Sequence, residues 1–130
     1  MSVQDETELM LSELFDSYAD GYEDYDTSAI AECFAFPCIV WQQDGGHVFN
    51  DKVELSENIE ALLEVLREHD VTSTIYEVVS SHISGSTASV SLDWQQEDED
   101  GEAVFDFTCH YLLINIDGLW KIASIINEPA

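Results

Sequence analysis

The sequence predicts an α+β fold, with three helices in its first half followed by one long antiparallel sheet. Two observations carry this. Up to about residue 70 the apolar residues recur at steps of three and four, the helical period, whereas from residue 72 they alternate. The second half is also divided by Ser84-Gly85, Asp100-Gly101 and Asp117-Gly118, which are tight-hairpin signals.

The first helix carries Leu11, Leu14, Phe15, Tyr18, Ala19, Tyr22 and Tyr25 on one stripe, with acids filling most of the other face. Asp5 followed by Glu8 has the form of a capping box, which places the helix start near residue 6. Gly21 weakens the last turn. Asp26 or Thr27 caps a short second helix containing Ile30, Ala31 and Phe34. Pro37 forces an extended segment over 38–43, and Asp44-Gly45-Gly46 turns it back through His47 to Phe49. Asp51 with Glu54 opens a third helix, with Leu55, Ile59, Leu62, Leu63 and Leu66 on one face.

Four strands follow, over 72–83, 86–97, 103–116 and 119–127. Two-residue turns at Asp100-Gly101 and Asp117-Gly118 fix the register. The first sets Trp94 opposite Phe107, Leu92 opposite Cys109 and Val90 opposite Tyr111. The second sets Leu113 opposite Ile122, Tyr111 opposite Ser124 and Cys109 opposite Ile126. Both turns give the same apolar face. The other face carries Ser89, Ser91, Asp93, Asp106, Thr108 and His110, but also a cluster of Leu112, Ile114, Ala123 and Ile125. Exposed apolar patches of that kind mark interfaces, so a homodimer packed through the outer sheet is expected.

Composition bounds the function. The 130 residues hold 28 Asp and Glu against three Lys and Arg, a formal charge of −25. Leu, Ile, Val and Phe make up more than a quarter of the chain, above the roughly 20% below which highly charged chains stay disordered. Three cations, Lys52, Arg67 and Lys121, cannot form the basic patch that nucleic acid or an anionic membrane requires. No run approaches the roughly 18 apolar residues of a membrane span, and the acidic N-terminus lacks a signal peptide's basic region, so a cytoplasmic location is expected. Cys33, Cys38 and Cys109 have no CxxC spacing and the four histidines are scattered, so reduced, buried thiols and no metal site are expected. Residues 96–107 imitate an EF-hand at Asp98, Asp100 and Gly101, but Gln96 and Phe107 occupy positions that require acids. The acid surplus reads as a solvated, salt-adapted coat or as a face for a basic partner.

The order of elements, the phrase Asp26-Thr27-Ser28-Ala29-Ile30-Ala31-Glu32-Cys33-Phe34 and the ending Asp117-Gly118-Leu119-Trp120-Lys121-Ile122 resemble the nuclear transport factor 2-like (NTF2-like) superfamily, in its SnoaL-like and ketosteroid isomerase-like branches. The resemblance spans nearly the whole chain. It implies a strongly curved sheet wrapped around the first helix, a cystatin-like cone with a pocket at its open end, and it agrees with dimerisation through the outer sheet. Isomerases of this kind use a first-strand carboxylate as base, a helix tyrosine and a protonated Asp on a later strand. Here residues 36–42 contain no acid, Phe107 stands near the Asp position, and only Tyr18 or Tyr22 matches the tyrosine.

The expected pocket wall is Tyr18, Tyr22, Trp41, Trp94, Phe105, Phe107, Cys109, Tyr111 and Ser124, which suits a hydrophobic small molecule held by one or two hydrogen bonds. If Ser84-Gly85 is a two-residue turn, Glu77 joins this inner face. Desolvation would then tune it as a general base for a cofactor-independent isomerase, lyase or cyclase, with Tyr18 or Tyr22 donating to an oxyanion. A one-residue slip would instead send Glu77 to solvent and bring Tyr76 and His82 inward. His47 is the second-choice acid or base. The competing class is a non-catalytic interaction module whose cavity is filled by its own side chains.

Overall fold

The computed structural model describes residues 3–42 and 44–129. Gln43, the end of the expected 38–43 extended segment, lies outside them. The elements are α1 (Val3–Glu23), α2 (Thr27–Ala31), β1 (Phe34–Gln42), β2 (Gly45–Phe49), α3 (Lys52–Glu68), β3 (Val71–Ser84), β4 (Thr87–Asp98), β5 (Ala103–Ile116) and β6 (Leu119–Pro129). The six strands form one curved sheet in the order β2-β1-β6-β5-β4-β3. All neighbours are antiparallel except β1 and β6, which run parallel. That pair is the non-local closure of the sheet, and no turn in the sequence announces it.

Helix α1 starts at Val3, ahead of the expected residue 6, so Asp5 sits in the first turn with Glu6. Carboxylates there face the positive end of the helix dipole. Its stripe is buried as expected: Leu11, Phe15, Tyr18 and Ala19 are each less than a tenth exposed. Phe15 and Tyr18 reach Tyr111 on β5, Tyr18 also reaches Trp94 on β4, and α1 packs along β3 and β6. The sheet therefore wraps around the helix. Gly21 allows α2 to pack against α1, since a Cβ there would come within 2.9 Å of Ile30 Cγ1. Asp26 caps α2, accepting from the Ala29 N–H. Asp51 caps α3 by accepting from the Glu54 N–H, while the Glu54 carboxylate accepts from the Asn50 N–H. Leu55, Ile59, Leu63 and Leu66 of α3 are buried in the same hydrophobic core, and α3 packs against α2, β2 and β3.

The central hairpin has the expected register, with Trp94 opposite Phe107, Leu92 opposite Cys109 and Val90 opposite Tyr111. Of the register shifts elsewhere in the sheet, those in β6 and in the middle of β3 move expected site residues. In β6, Leu113 pairs with Ile122 as expected, but Leu112 pairs with Ser124, which leaves Ala123 without a partner residue. In β3, Val78 pairs with Leu92 and Ser80 with Ser91, which leaves Val79 over. The turn of that hairpin lies at Gly85-Ser86, between the paired Ser84 and Thr87. Because side chains alternate across a strand, one extra residue sends everything beyond it to the opposite face.

A cavity walled by aromatic rings and carboxamides

Beneath α3, between α1 and the concave face of the sheet, lies a cavity of about 240 Å³. Tyr18 and Tyr22 come from α1, and Asn58, Ile59, Leu62 and Leu66 from α3. The sheet supplies Phe34, Val40 and Gln42 from β1 and Thr74 from β3. It also gives Trp94 and Gln96 from β4, the alternate residues Phe105, Phe107, Cys109 and Tyr111 from β5, and Ile125 and Asn127 from β6. The alternation along β5 places all four of its residues on the concave side.

Hydroxyls and rings hold one another inside this wall. The Trp94 indole Nε1–H donates to the Tyr111 hydroxyl over 2.9 Å, and the Tyr18 and Tyr22 hydroxyls lie 3.4 Å apart. Tyr18 packs edge-on against Tyr22, Phe34 and Trp94. Burial pushes the Tyr18 and Tyr111 hydroxyls well above their usual range, Tyr22 up to about 12, and the Cys109 thiol up to about 11. Among the described residues lining the cavity there is no Asp, Glu, His, Lys or Arg. A chain with 28 carboxylates thus surrounds an uncharged chamber.

Of the residues expected to form the pocket, Tyr18, Tyr22, Trp94, Phe105, Phe107, Cys109 and Tyr111 line it together. Three do not. Glu77 lies beyond the Val79 bulge, exposed and directly opposite Asp93, and Tyr76 takes the inward place beside Trp94. His82 lies on the turn side of that bulge and remains exposed. Ser124 lies beyond the Ala123 bulge and pairs with Leu112 on the convex face, while Ile125 and Asn127 turn into the cavity. Trp41 is 51% exposed, with its indole against Gly46, and its neighbours Val40 and Gln42 face inward instead. His47 is tied to Asp44 at 3.1 Å at the exposed β1–β2 turn. His110 sits on the convex face between Ser91 and Glu128, each 2.7 Å away.

The cavity also has a polar lining from Gln42, Asn58, Thr74, Gln96 and Asn127, beyond the residues expected there. Asn58 sits one residue before Ile59 of the apolar stripe, and Gln96 interrupts a strand that is otherwise apolar on that face, whereas Thr74 belongs to the outer face in the expected register and is turned inward by the Val79 bulge. No group of three or more His, Cys, Asp or Glu among the described residues is arranged to hold a metal ion, and no described helix is long and apolar enough to cross a membrane.

A family model for NTF2-like proteins (DUF6841) matches residues 5–130. The chain belongs to this NTF2-like family. No curated protein is a significant sequence match. Among solved structures, this NTF2-like chain is similar to a cystatin-like domain of unknown function from Nostoc punctiforme. That likeness has a TM-score of 0.79 at 13% identity and covers 100% of this chain and 80% of the other. It is also similar to a protein of unknown function from Mycobacterium tuberculosis, with a TM-score of 0.75 at 17% identity, covering 100% and 77% of the two chains. A ketosteroid isomerase-like protein from Erwinia carotovora atroseptica gives a TM-score of 0.71 at 16% identity, covering 93% and 94%. At these identities the likeness establishes a shared cystatin-like fold.

Proposed function

We propose that the protein binds a neutral, hydrophobic small molecule in the aromatic-walled cavity and holds it by hydrogen bonds. One observation carries the reading: the cavity is lined by rings, aliphatic side chains, hydroxyls and carboxamides, with no ionised group among the described residues. Apolar walls with a few convergent polar groups are the usual make-up of a small-molecule site. An anionic or cationic ligand would lose its hydration there without gaining a counter-charge. The volume supports binding over an interior filled by its own side chains.

The catalytic form of this reading loses its base. Glu77 is on the convex face, and burial raises the weak acids left in the wall, Cys109 to about 11, Tyr22 to about 12, and Tyr18 and Tyr111 well above their usual range. Tyr18 and Tyr22 remain able to donate hydrogen bonds to a ligand carbonyl. Binding without proton abstraction is therefore favoured over isomerase, lyase or cyclase chemistry. The test is titration with N-phenyl-1-naphthylamine, a neutral dye that fluoresces in apolar surroundings. The native protein should bind it saturably, and Cys109→Phe, which fills the chamber, should not.

We also propose that two copies pair through the convex sheet face. A band of Ile39, Trp41, Leu112 and Ile126 is exposed there on the adjacent strands β1, β5 and β6, joined by the half-exposed Ile114 and Ala123. The bulge at Ala123 replaces the expected Ile125, which is buried, with Ile126, which is 52% exposed. A self-complementary patch of this kind suits a two-fold dimer.

A further inference from the structure

Two polar atoms in residues lining the cavity have no hydrogen-bond partner although both are shut off from bulk water: Thr74 Oγ1 and Asn127 Oδ1. Protein interiors rarely leave such groups unpaired, and those that persist call for an explanation. The two lie on different walls, Thr74 on β3 and Asn127 on β6, three places apart in the strand order. Thr74 stands directly opposite Gln96 on β4, and each is only 4% exposed. A cross-strand pair of buried polar residues thus faces the chamber on one side and a carboxamide faces it on the other. Phe107 and Cys109 on β5 supply apolar surface between them.

The chemistry of each wall is specific. A carboxamide oxygen only accepts, so Asn127 Oδ1 calls for a donor. The Thr74 hydroxyl and the Gln96 carboxamide both donate and accept, so their wall takes either kind of group. The terminal torsion of an Asn side chain is broad, so Oδ1 has the freedom to turn toward the cavity that its residue lines.

We propose, on the basis of the ligand-binding reading above, that the ligand is a neutral two-ended molecule. Its flat apolar body carries a hydroxyl or N–H group at one end for Asn127, and a hydroxyl, carbonyl or N–H group at the other for Thr74 and Gln96. A site built around polar partners discriminates strongly against analogues that cannot pair with them, because its own buried groups are then left unpaired.

The experiment is displacement of N-phenyl-1-naphthylamine by 2,6-dihydroxynaphthalene and by 2,6-dimethoxynaphthalene, which share a flat body but differ in donors. The diol is expected to displace the dye at a concentration lower by about tenfold or more. Asn127→Leu and Thr74→Val should each shrink that ratio by weakening the diol more than the dimethoxy compound. Equal displacement by the two compounds from the native protein, or a ratio that neither variant changes, overturns this inference and leaves the cavity reading standing. If the dye and both naphthalenes all fail to bind, the cavity reading falls and this inference falls with it.

Discussion

Trp94 and Tyr111 hold one another across neighbouring strands, the indole Nε1–H donating to the phenol oxygen over 2.9 Å in the buried wall of the cavity. Tyr111 is also packed against Phe15 and Tyr18, so this bond joins the sheet to the helix it surrounds. Removing the acceptor leaves a buried N–H without a partner, which costs about 1–3 kcal/mol. Tyr111→Phe should lower stability by that amount in urea unfolding. An unchanged midpoint would show that the pair contributes nothing.

Alkaline pH should unfold the protein earlier than its carboxylates alone would suggest. Burial raises Cys33, Cys38 and Cys109 from 9.0 to about 11 and Tyr22 from 10.0 to about 12. The folded chain therefore keeps protons that the unfolded chain releases. Their contribution is complete below pH 9 and is lost as pH rises through the folded values, between about 9 and 12. The urea midpoint should fall steadily over that window, and a flat midpoint contradicts the assignment. At pH 8 the same thiols should react with iodoacetamide only after unfolding.

Glu77→Gln should leave dye binding unchanged and slightly raise stability. Glu77 lies directly opposite Asp93 on the exposed face, and like charges in that position repel. The gain should be about 0.5 kcal/mol or less at low salt, measured by urea unfolding. Loss of binding in this variant would restore Glu77 to the site.

The central register of the sheet was legible because its evidence was local. Trp94, Phe107, Cys109 and Tyr111 alternate on strands joined by a glycine turn, and the structure places them as that pattern requires. The pattern fails at the extra residues Val79 and Ala123. Val79 is one β-branched residue in a β-branched run, and Ala123 is a small residue between longer ones, so neither marks a bulge by its type. Beyond them the strands turn over, so Glu77 and Ser124 face outward against the alternation and Asn127 faces the cavity. Trp41 departs from the expected inward position for a different reason. Its strand takes its inward face from parallel pairing with β6, a contact between segments more than 80 positions apart that no turn constrains.

The charge has a consequence of its own. Lys52 pairs with Glu32, Lys121 donates to the Glu32 carbonyl, and Arg67 lies 4.9 Å over the Tyr25 ring. Three cations cannot neutralise 28 carboxylates. Screening by salt should therefore stabilise the fold and favour pairing of two copies. The melting temperature should rise between 0.05 and ~1 M KCl. Sedimentation should show a dimer that Leu112→Asp dissociates. A melting temperature independent of salt, or a native monomer at all salt concentrations, would contradict these expectations.

The most direct measurement of where a ligand sits uses the tryptophans as reporters. Trp94 lines the cavity, Trp41 is exposed on the convex face, and Trp120 is buried away from the cavity lining. In a proton–nitrogen correlation spectrum, N-phenyl-1-naphthylamine should shift the Trp94 indole resonance saturably and leave that of Trp41 in place. A shift at Trp41 with none at Trp94 would contradict binding in the cavity.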